Sequence, residues 1–199
     1  MCGIVGYTGG KQAYPILIDG LKKLEYRGYD SAGVALLQDR GVSVFKKEGK
    51  VARLEEHVGM TDVTAHTGIG HTRWATHGEP SDRNAHPHLS KSGRIAMIHN
   101  GIIENYAQLK VELLKDGYVF NSDTDSEVLL NFIEDIQIKN ECSLEEAIRI
   151  ALKRVTGAYV ILLIDQEHPD TIIVARKGSP LVIGIGQNEH FLGSDASPM

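Results

Sequence analysis

Cys2 is the first residue in the chain with clear chemical potential, because it directly follows the initiator methionine. If Met1 is removed, as normally happens before a small side chain, Cys2 carries a free α-amine and a thiol on one carbon skeleton. The unperturbed pKa is about 7.7–8.0 for the amine and about 8.5 for the thiol, so the pair can act as base and nucleophile. The alternative is an ordinary buried cysteine near an ordinary N-terminus, and Cys2 alone does not decide between the two.

Asn100-Gly101 can supply the oxyanion donors that an amide hydrolase also needs. The asparagine offers a carboxamide NH₂ and the glycine an unhindered backbone N–H, and one such donor contributes about 3–4 kcal/mol to transition-state stabilisation. The dipeptide follows an apolar run over 95–99 that predicts a strand ending there. Asn-Gly is also a strong signal for a tight turn, and in isolation the turn is favoured.

Two charged residues can recognise the two ends of a free amino acid. Arg73, with Thr76, can bind a carboxylate through the planar fork of its guanidinium and the nearby hydroxyl. Asp125 can bind an ammonium group. The alternatives are a surface salt bridge for Arg73 and, for Asp125, an acid that complements the dipole of a helix capped by Thr124.

The histidines invite a metal interpretation that their spacing does not favour. The sequence contains no HExxH or CxxC motif and no acidic partner at ligand spacing, and it has no Gly-rich phosphate loop. We therefore expect no metal and no cofactor; a metal- or ligand-sensing domain remains a rival hypothesis. The histidines considered are His66, His71, His77, His86, His88 and His99.

Length and composition are those of an ordinary globular domain. The chain has 199 residues and a formal net charge of −5, with 42% hydrophobic residues. The mild acidity predicts binding to neither nucleic acid nor membrane surfaces. The N-terminus does not have the pattern of a signal peptide, and the two cysteines do not suggest a disulfide framework, so we expect a cytoplasmic protein.

Hydrophobic periodicity predicts an α+β sandwich, with sheets inside and helices outside, because strands at both ends of the chain flank a helical middle. Asn105 is expected to cap the third helix, and capping boxes at Thr124/Glu127 and Ser143/Glu146 begin the last two. A long polar loop over 73–88, with the only tryptophan of the chain, favours a functional role. Helices are predicted over 13–24, 53–58 and 106–115; a fourth begins after residue 124, and a fifth begins after residue 143 and runs to residue 154. Strands are predicted over 4–5, 34–37, 42–45, 66–72, 95–99, 159–164, 171–175, 181–185 and, weakly, 191–192.

Six ordered motifs together resemble one family. They are Cys-Gly-Ile-Val-Gly, Leu-Glu-Tyr-Arg-Gly-Tyr-Asp-Ser-Ala-Gly, His-Thr-Arg-Trp-Ala-Thr-His-Gly, Asn-Ala-His-Pro-His, His-Asn-Gly and Thr-Asp-Ser-Glu. In this order they are similar to the glutaminase domain of the glucosamine-6-phosphate synthases, the isomerising glutamine–fructose-6-phosphate aminotransferases. These are class II glutamine amidotransferases of the N-terminal-nucleophile hydrolase superfamily.

The resemblance implies a four-layer αββα fold and roles for the motif residues. Cys2 would be the nucleophile with its own α-amine as base, and Asn100 and the Gly101 N–H would form the oxyanion hole. Arg27 and Gly28 would help to position the cysteine and the terminal amine. Residues implied to contact glutamine are Arg73, Trp74, Thr76, His77 through its backbone, Gly101 and Asp125; Trp74 lies in the loop that closes over the substrate, and His86 and His99 have supporting roles.

The resemblance also implies the extent of the domain. Residues 2–199 would form the glutaminase domain, truncated near its C-terminal end, and the two sugar-isomerase domains of the family would be absent. Such a chain binds L-glutamine, whereas fructose 6-phosphate would bind only to the missing domains. Full-length family members are homo-oligomers; we expect this chain by itself to be a monomer or a weak dimer. A catalytically silent regulatory domain is the second rival hypothesis.

Overall fold

The computed structural model describes residues 2–75 and 78–198. These residues form five α-helices, ten strands and a single 3₁₀ turn over Glu25–Arg27. In chain order they are β1 (Gly3–Gly9), α1 (Ala13–Leu24), β2 (Ser31–Gln38), β3 (Gly41–Glu48), α2 (Val51–Val58), β4 (Thr67–Arg73), β5 (His88–Leu89), β6 (Ile95–Ile103), α3 (Tyr106–Lys115), α4 (Asp125–Asn140), α5 (Leu144–Arg154), β7 (Gly157–Asp165), β8 (Ile172–Lys177), β9 (Val182–Gly186) and β10 (Glu189–Gly193).

The strands of the described residues form two sheets whose strand pairs are antiparallel. The larger sheet has the order β3-β2-β4-β1-β10-β9, and the smaller sheet has the order β5-β6-β7-β8. The N-terminal strand β1 lies between β4 and β10. The first residues of the chain are therefore held on both sides by backbone hydrogen bonds.

The alternation of side chains along each strand produces the layers. In β6, Ala96 and Ile98 belong to the core between the sheets, whereas Ile95 and Met97 belong to the core beneath the helices. A strand buried on both faces reads as an unbroken apolar run, because successive side chains point to opposite faces. The run 95–98 shows this pattern.

Helices cover the outer face of each sheet. Leu17 and Leu21 of α1, with Leu54 of α2, pack against the larger sheet. The long helix α4 packs against the smaller sheet, and α3 and α5 pack on α4. The order of layers is helix, sheet, sheet, helix, which confirms the αββα fold.

Several sequence predictions need correction. The strand predicted to end at residue 99 continues to Ile103, so Asn100 and Gly101 lie within β6 and pair with Val160 and Tyr159. Asn105 precedes α3 but does not cap it with its side chain, which instead bonds Arg154 O and Thr156 N, each within 3.0 Å. The residues predicted only weakly as a strand form β10, an inner strand beside β1.

The helix caps are partly as predicted. Thr124 and Ser143 accept hydrogen bonds from Glu127 N and Glu146 N, as the capping boxes require. In the first box, the described contacts of the Glu127 carboxylate do not include the expected bond from Thr124 N. The carboxylate accepts from Asn121 N and Ser122 N instead. No helix in the described ranges has both the length and the apolar character to cross a membrane.

Candidate active site

A cavity of about 370 Å³ opens beside the start of β1, the end of β4 and the C-terminal part of β6. It collects residues that are far apart in the sequence, because the two sheets bring these strand ends together. The sequence-predicted site residues among those lining it are Cys2, Arg27, Arg73, Trp74, Asn100, Gly101 and Asp125. Thr76 and His77, also predicted to bind substrate, lie outside the described residues.

The Cys2 thiol lies against the backbone of Trp74. The Trp74 N–H donates to Sγ over 3.1 Å, and Sγ lies 3.4 Å from Trp74 O. Burial raises the pKa of the Cys2 thiol, and the Trp74 N–H opposes that rise in part. A thiol with a raised pKa is protonated at neutral pH, so it needs a base before it can attack.

Arg27 supports the N-terminal strand through Ser194. The Ser194 hydroxyl accepts from Ile4 N at 3.1 Å and from Arg27 Nη1 at 3.0 Å. Arg27 also pairs with Asp195 at 3.3 Å. On the other side of the strand, Gly3 N donates to Thr72 Oγ1 at 3.1 Å. The residues that follow Cys2 are thus fixed from both neighbouring strands.

Gly28 is required where the Trp74 ring passes over the chain. Its φ is +87°, and a Cβ at this position would lie 2.6 Å from Trp74 Cζ3. A larger residue would therefore be strained and would push the indole away. Trp74 as a whole is 54% exposed, so its ring covers the Gly28 backbone and also meets solvent.

Asn100 and Gly101 do not form the tight turn that their dipeptide favours in isolation; they lie in β6. The Asn100 amide nitrogen donates to Cys2 O at 3.1 Å, which joins the two residues directly. Gly101 has φ +134°, and a Cβ there would lie 2.0 Å from Ala158 O. Glycine is therefore needed at this position for both conformation and space.

Arg73 is buried, and the alternative of a surface salt bridge is wrong. Its guanidinium donates to Gly78 O at 2.9 Å and to Glu79 O at 3.4 Å, and it lies 3.6 Å from Asp30 Oδ1. Five N–H donors allow a guanidinium to hold loop carbonyls and a further carboxylate together.

Asp30 supports Arg73 from outside the cavity lining, and the sequence interpretation missed it. Its carboxylate pairs with Arg73, accepts from Ala75 N, and accepts from Ser31 Oγ at 2.8 Å. These contacts attach residues 73–75, where the loop that carries Trp74 begins, to the segment that follows the 3₁₀ turn. Its place in the Tyr-Asp-Ser-Ala-Gly motif was the signal that could have found it.

Asp125 is the first residue of α4 and is buried at the cavity wall. Its Oδ2 accepts from Ile103 N at 2.8 Å, and its Oδ1 lies 3.4 Å from Ser126 Oγ. An ionised carboxylate has about four acceptor sites, so these contacts are compatible with an added ammonium group. The helix-dipole role and the binding role are thus compatible.

Four buried histidines stand beside the cavity: His71, His86, His88 and His99. The His71 and His86 rings stack with centroids 4.4 Å apart, and His86 Nε2 and His99 Nδ1 each lie 2.8 Å from Ser126 Oγ. Burial lowers the pKa of His71 to about 3 and those of His86 and His88 well below the usual value, so these rings are neutral. In the described part of the chain, no group of three or more potential ligands is arranged to hold a metal ion.

Two solved structures show how this fold occurs in other proteins. The glutamine phosphoribosylpyrophosphate amidotransferase from B. subtilis, complexed with ADP and GMP, matches with a TM-score of 0.83 and 28% identity over 97% of this chain and 42% of that one. A glutamine aminotransferase class-II domain protein from Silicibacter pomeroyi, 15% identical over 97% of this chain and 88% of that chain, has a TM-score of 0.65 and supports the fold alone.

Curated relatives are more similar in sequence. The glutamine–fructose-6-phosphate aminotransferase (isomerizing) of Bacteroides thetaiotaomicron is 59% identical over the whole of this chain, and that of Chlorobaculum tepidum is 57% identical over the same extent. This chain spans 33% of the length of each. The family model described as "Glutamine amidotransferase domain" matches residues 71–199. Since that match covers more than half of the sequence, the chain belongs to the family of glutamine amidotransferase domains.

Proposed function

We propose that this chain hydrolyses L-glutamine to glutamate and ammonia through a thioester on Cys2. One observation carries the proposal: the Cys2 thiol, the Asn100-Gly101 pair, the Arg73 guanidinium and the Asp125 carboxylate line a single cavity. These groups are a nucleophile, two oxyanion donors and one charge for each end of a free amino acid.

The proposed reaction has two halves. The α-amine of Cys2, freed by removal of Met1, takes the thiol proton as sulfur attacks the side-chain carbonyl of glutamine. When the tetrahedral intermediate collapses, the C–N bond breaks, the same proton passes to the leaving nitrogen, and ammonia departs from a γ-glutamyl thioester. The α-amine then takes a proton from water as the water attacks the thioester, and it gives this proton to sulfur as the C–S bond breaks, so that glutamate leaves and the thiol is regenerated. Asn100 and the Gly101 N–H stabilise both oxyanions.

Specificity for the free amino acid requires that both of its charged ends are recognised. In the proposal Arg73, with Thr76 and the His77 backbone, holds the α-carboxylate, and Asp125 holds the α-ammonium. Trp74 closes over the bound substrate, and Arg27 and Gly28 position the terminal residue. Amides that lack the two α-charges should therefore be poor substrates.

We further propose that the ammonia serves glucosamine 6-phosphate synthesis from fructose 6-phosphate, as the names of the relatives suggest. Residues 2–199 would be the glutaminase domain, and fructose 6-phosphate would bind outside it, to sugar-isomerase domains. The reaction as written needs no cofactor. We place it in the cytoplasm, in full-length proteins that are homo-oligomers, with the chain alone a monomer or a weak dimer.

A glutaminase assay on this chain tests the proposal. Cys2→Ala should lower glutamate production at least a thousandfold while glutamine still binds. Cys142→Ala is the matched control and should keep full activity, because Cys142 packs against the core beneath α3–α5. Fructose 6-phosphate should not change the rate.

The intact mass of the active protein tests the role of the amine. We expect the mass of a chain that begins at Cys2. An active preparation that keeps Met1 would contradict the amine as base, and a chain that binds glutamine without releasing glutamate would favour a silent regulatory domain.

A further inference from the structure

We infer that His71 is a positioning residue that fixes the orientation of the Asn100 carboxamide, so that its NH₂ group and not its oxygen faces the reacting centre. The inference rests on the proposed function, because it concerns the oxyanion donor of that reaction. His71 has no part in the chemistry described above. It acts through Asn100.

The two residues meet across the sheets. His71 lies on β4 of the larger sheet and Asn100 on β6 of the smaller one, and their contact joins Nε2 and Oδ1 at 2.8 Å. On its other side the Asn100 amide bonds Cys2 O at 3.1 Å. A continuous chain of hydrogen bonds therefore runs from β4 through Asn100 to the nucleophilic residue.

The direction of each bond follows from what each atom can do. A backbone carbonyl oxygen can only accept, so Asn100 must present its nitrogen to Cys2 O. Its oxygen then faces His71, and Nε2 must carry the imidazole proton to donate to it. The flipped amide would place two acceptor oxygens, Asn100 Oδ1 and Cys2 O, against each other.

The surroundings hold His71 in the state that this bond requires. The ring is 1% exposed and packs against the His86 ring, with centroids 4.4 Å apart and planes tilted by 34°, which restricts its rotation. Burial, with smaller contributions from His99 and Arg73, lowers the pKa of His71 to about 3, so the ring is neutral. A neutral ring has a single N–H, and Asn100 Oδ1 is the acceptor that assigns it to Nε2.

The consequence is a donor that is oriented before substrate arrives. Without the His71 N–H, only the contact with Cys2 O opposes a half-turn of the Asn100 amide, so the flipped form, with its oxygen toward a developing negative charge, becomes more populated. Oxyanion donors act because they do not need to reorganise during the reaction. Loss of His71 should therefore affect kcat and leave KM for glutamine nearly unchanged.

The test is a double-mutant cycle between His71 and Asn100 in the intact chain, with glutaminase kcat and KM measured. We expect His71→Leu to lower kcat about 10- to 100-fold with KM within about threefold. His71→Gln should recover most of kcat, since its amide N–H can also donate to Asn100 Oδ1. In the Asn100→Ala background, His71→Leu should have no further effect, because the group on which it acts is gone.

His88→Leu is the matched control, since it removes an equally buried imidazole that bonds Thr124 at 3.0 Å and not Asn100. It should keep kcat per folded molecule within about threefold. Equal losses in His88→Leu and His71→Leu, additive losses in the cycle, or a folded His71→Gln with less than a tenth of normal kcat would each overturn the inference. An inactive parent chain would instead refute the proposed glutaminase function.

Discussion

The layer between the two sheets has an apolar end and a polar end, built from the same inward-facing rows of side chains. On β4, Ile69 is followed two residues later by His71; on β6, Ile98 is followed by Asn100. Ile69 and Ile98 are fully buried in the apolar core between the sheets, whereas His71 and Asn100 bond each other at the cavity. Because side chains alternate with a period of two, one strand carries a row from the core into the site. Stability and chemistry therefore depend on different segments of the same strands.

Lowering the pH should destabilise the fold through the histidines at the polar end, and this is the largest effect we expect. His71, His86 and His88 have pKa values lowered by burial, so below about pH 6.5 the unfolded chain binds protons that the folded chain does not. The free energy of unfolding is therefore highest above that pH. It falls as the pH decreases, by about 1.4 kcal/mol per pH unit for each histidine. Urea unfolding at pH 7.5, 6.5 and 5.5 measures the slope.

His88→Gln should reduce the number of protons taken up on unfolding by about one, because one titrating ring is removed while an amide that can donate or accept remains for Thr124. A free energy of unfolding that stays level from pH 7.5 to 5.5 would contradict neutral histidines at this end of the layer.

Asn100→Ala should damage chemistry without comparable damage to the fold. Loss of its donor is expected to lower kcat about 100- to 1000-fold, equivalent to about 3–4 kcal/mol of transition-state stabilisation. Steady-state glutaminase kinetics with a melting curve separate the two effects. Asn105→Ala is the control, since Asn105 bonds Arg154 O and Thr156 N away from the cavity and should keep normal kcat. A near-normal rate in Asn100→Ala would remove Asn100 from the oxyanion hole.

Leu162→Ala, at the apolar end, should lower stability and leave kcat nearly unchanged, which is the opposite of Asn100→Ala. Leu162 is fully buried between the sheets, and truncation there should lower the free energy of unfolding by about 3 kcal/mol. The kcat per folded molecule should stay within about twofold. Ile138→Ala, at a position 64% exposed on α4, should change stability by less than about 0.5 kcal/mol. If Leu162→Ala lowers kcat tenfold in protein that is still folded, the two ends are coupled.

Asp125→Asn should produce the smallest of these effects. It should weaken binding of the α-ammonium group of glutamine. The amide oxygen can still accept from Ile103 N, so the fold should persist, while loss of the charge-assisted bond costs about 2 kcal/mol. We expect KM for glutamine to rise about 30-fold with a smaller change in kcat. An unchanged KM would leave Asp125 with its helix-terminal role alone.

Local signals determined much of this fold. The predicted helix 13–24 has the same bounds as α1, and Thr124 and Ser143 cap α4 and α5. Helix periodicity and capping depend on residues three or four positions apart, so the printed sequence contains them completely. The motifs likewise marked the residues that line the cavity, with Cys2 foremost.

Other features depended on which strands become neighbours. Residues 191–192 gave a weak strand signal, yet β10 is stabilised as an inner strand by pairing with β1, far away in the sequence. Asn105 looked like a helix cap, but its side chain bonds two backbone groups at and just after the end of α5 instead. The 95–99 strand extends through Gly101 because β7 pairs with it as far as Ile103.

By itself, the amino-acid order determined the helices and the alternating strands and pointed to Cys2 as the proposed nucleophile, since each of these is a local pattern or a motif. Only the tertiary structure decided that His71, Asn100 and Cys2 form one hydrogen-bonded chain and that Asp30 holds Arg73. The physical reason is that a hydrogen bond requires two atoms within about 3 Å. For residues on strands of different sheets, that distance is set by the packing of the layers.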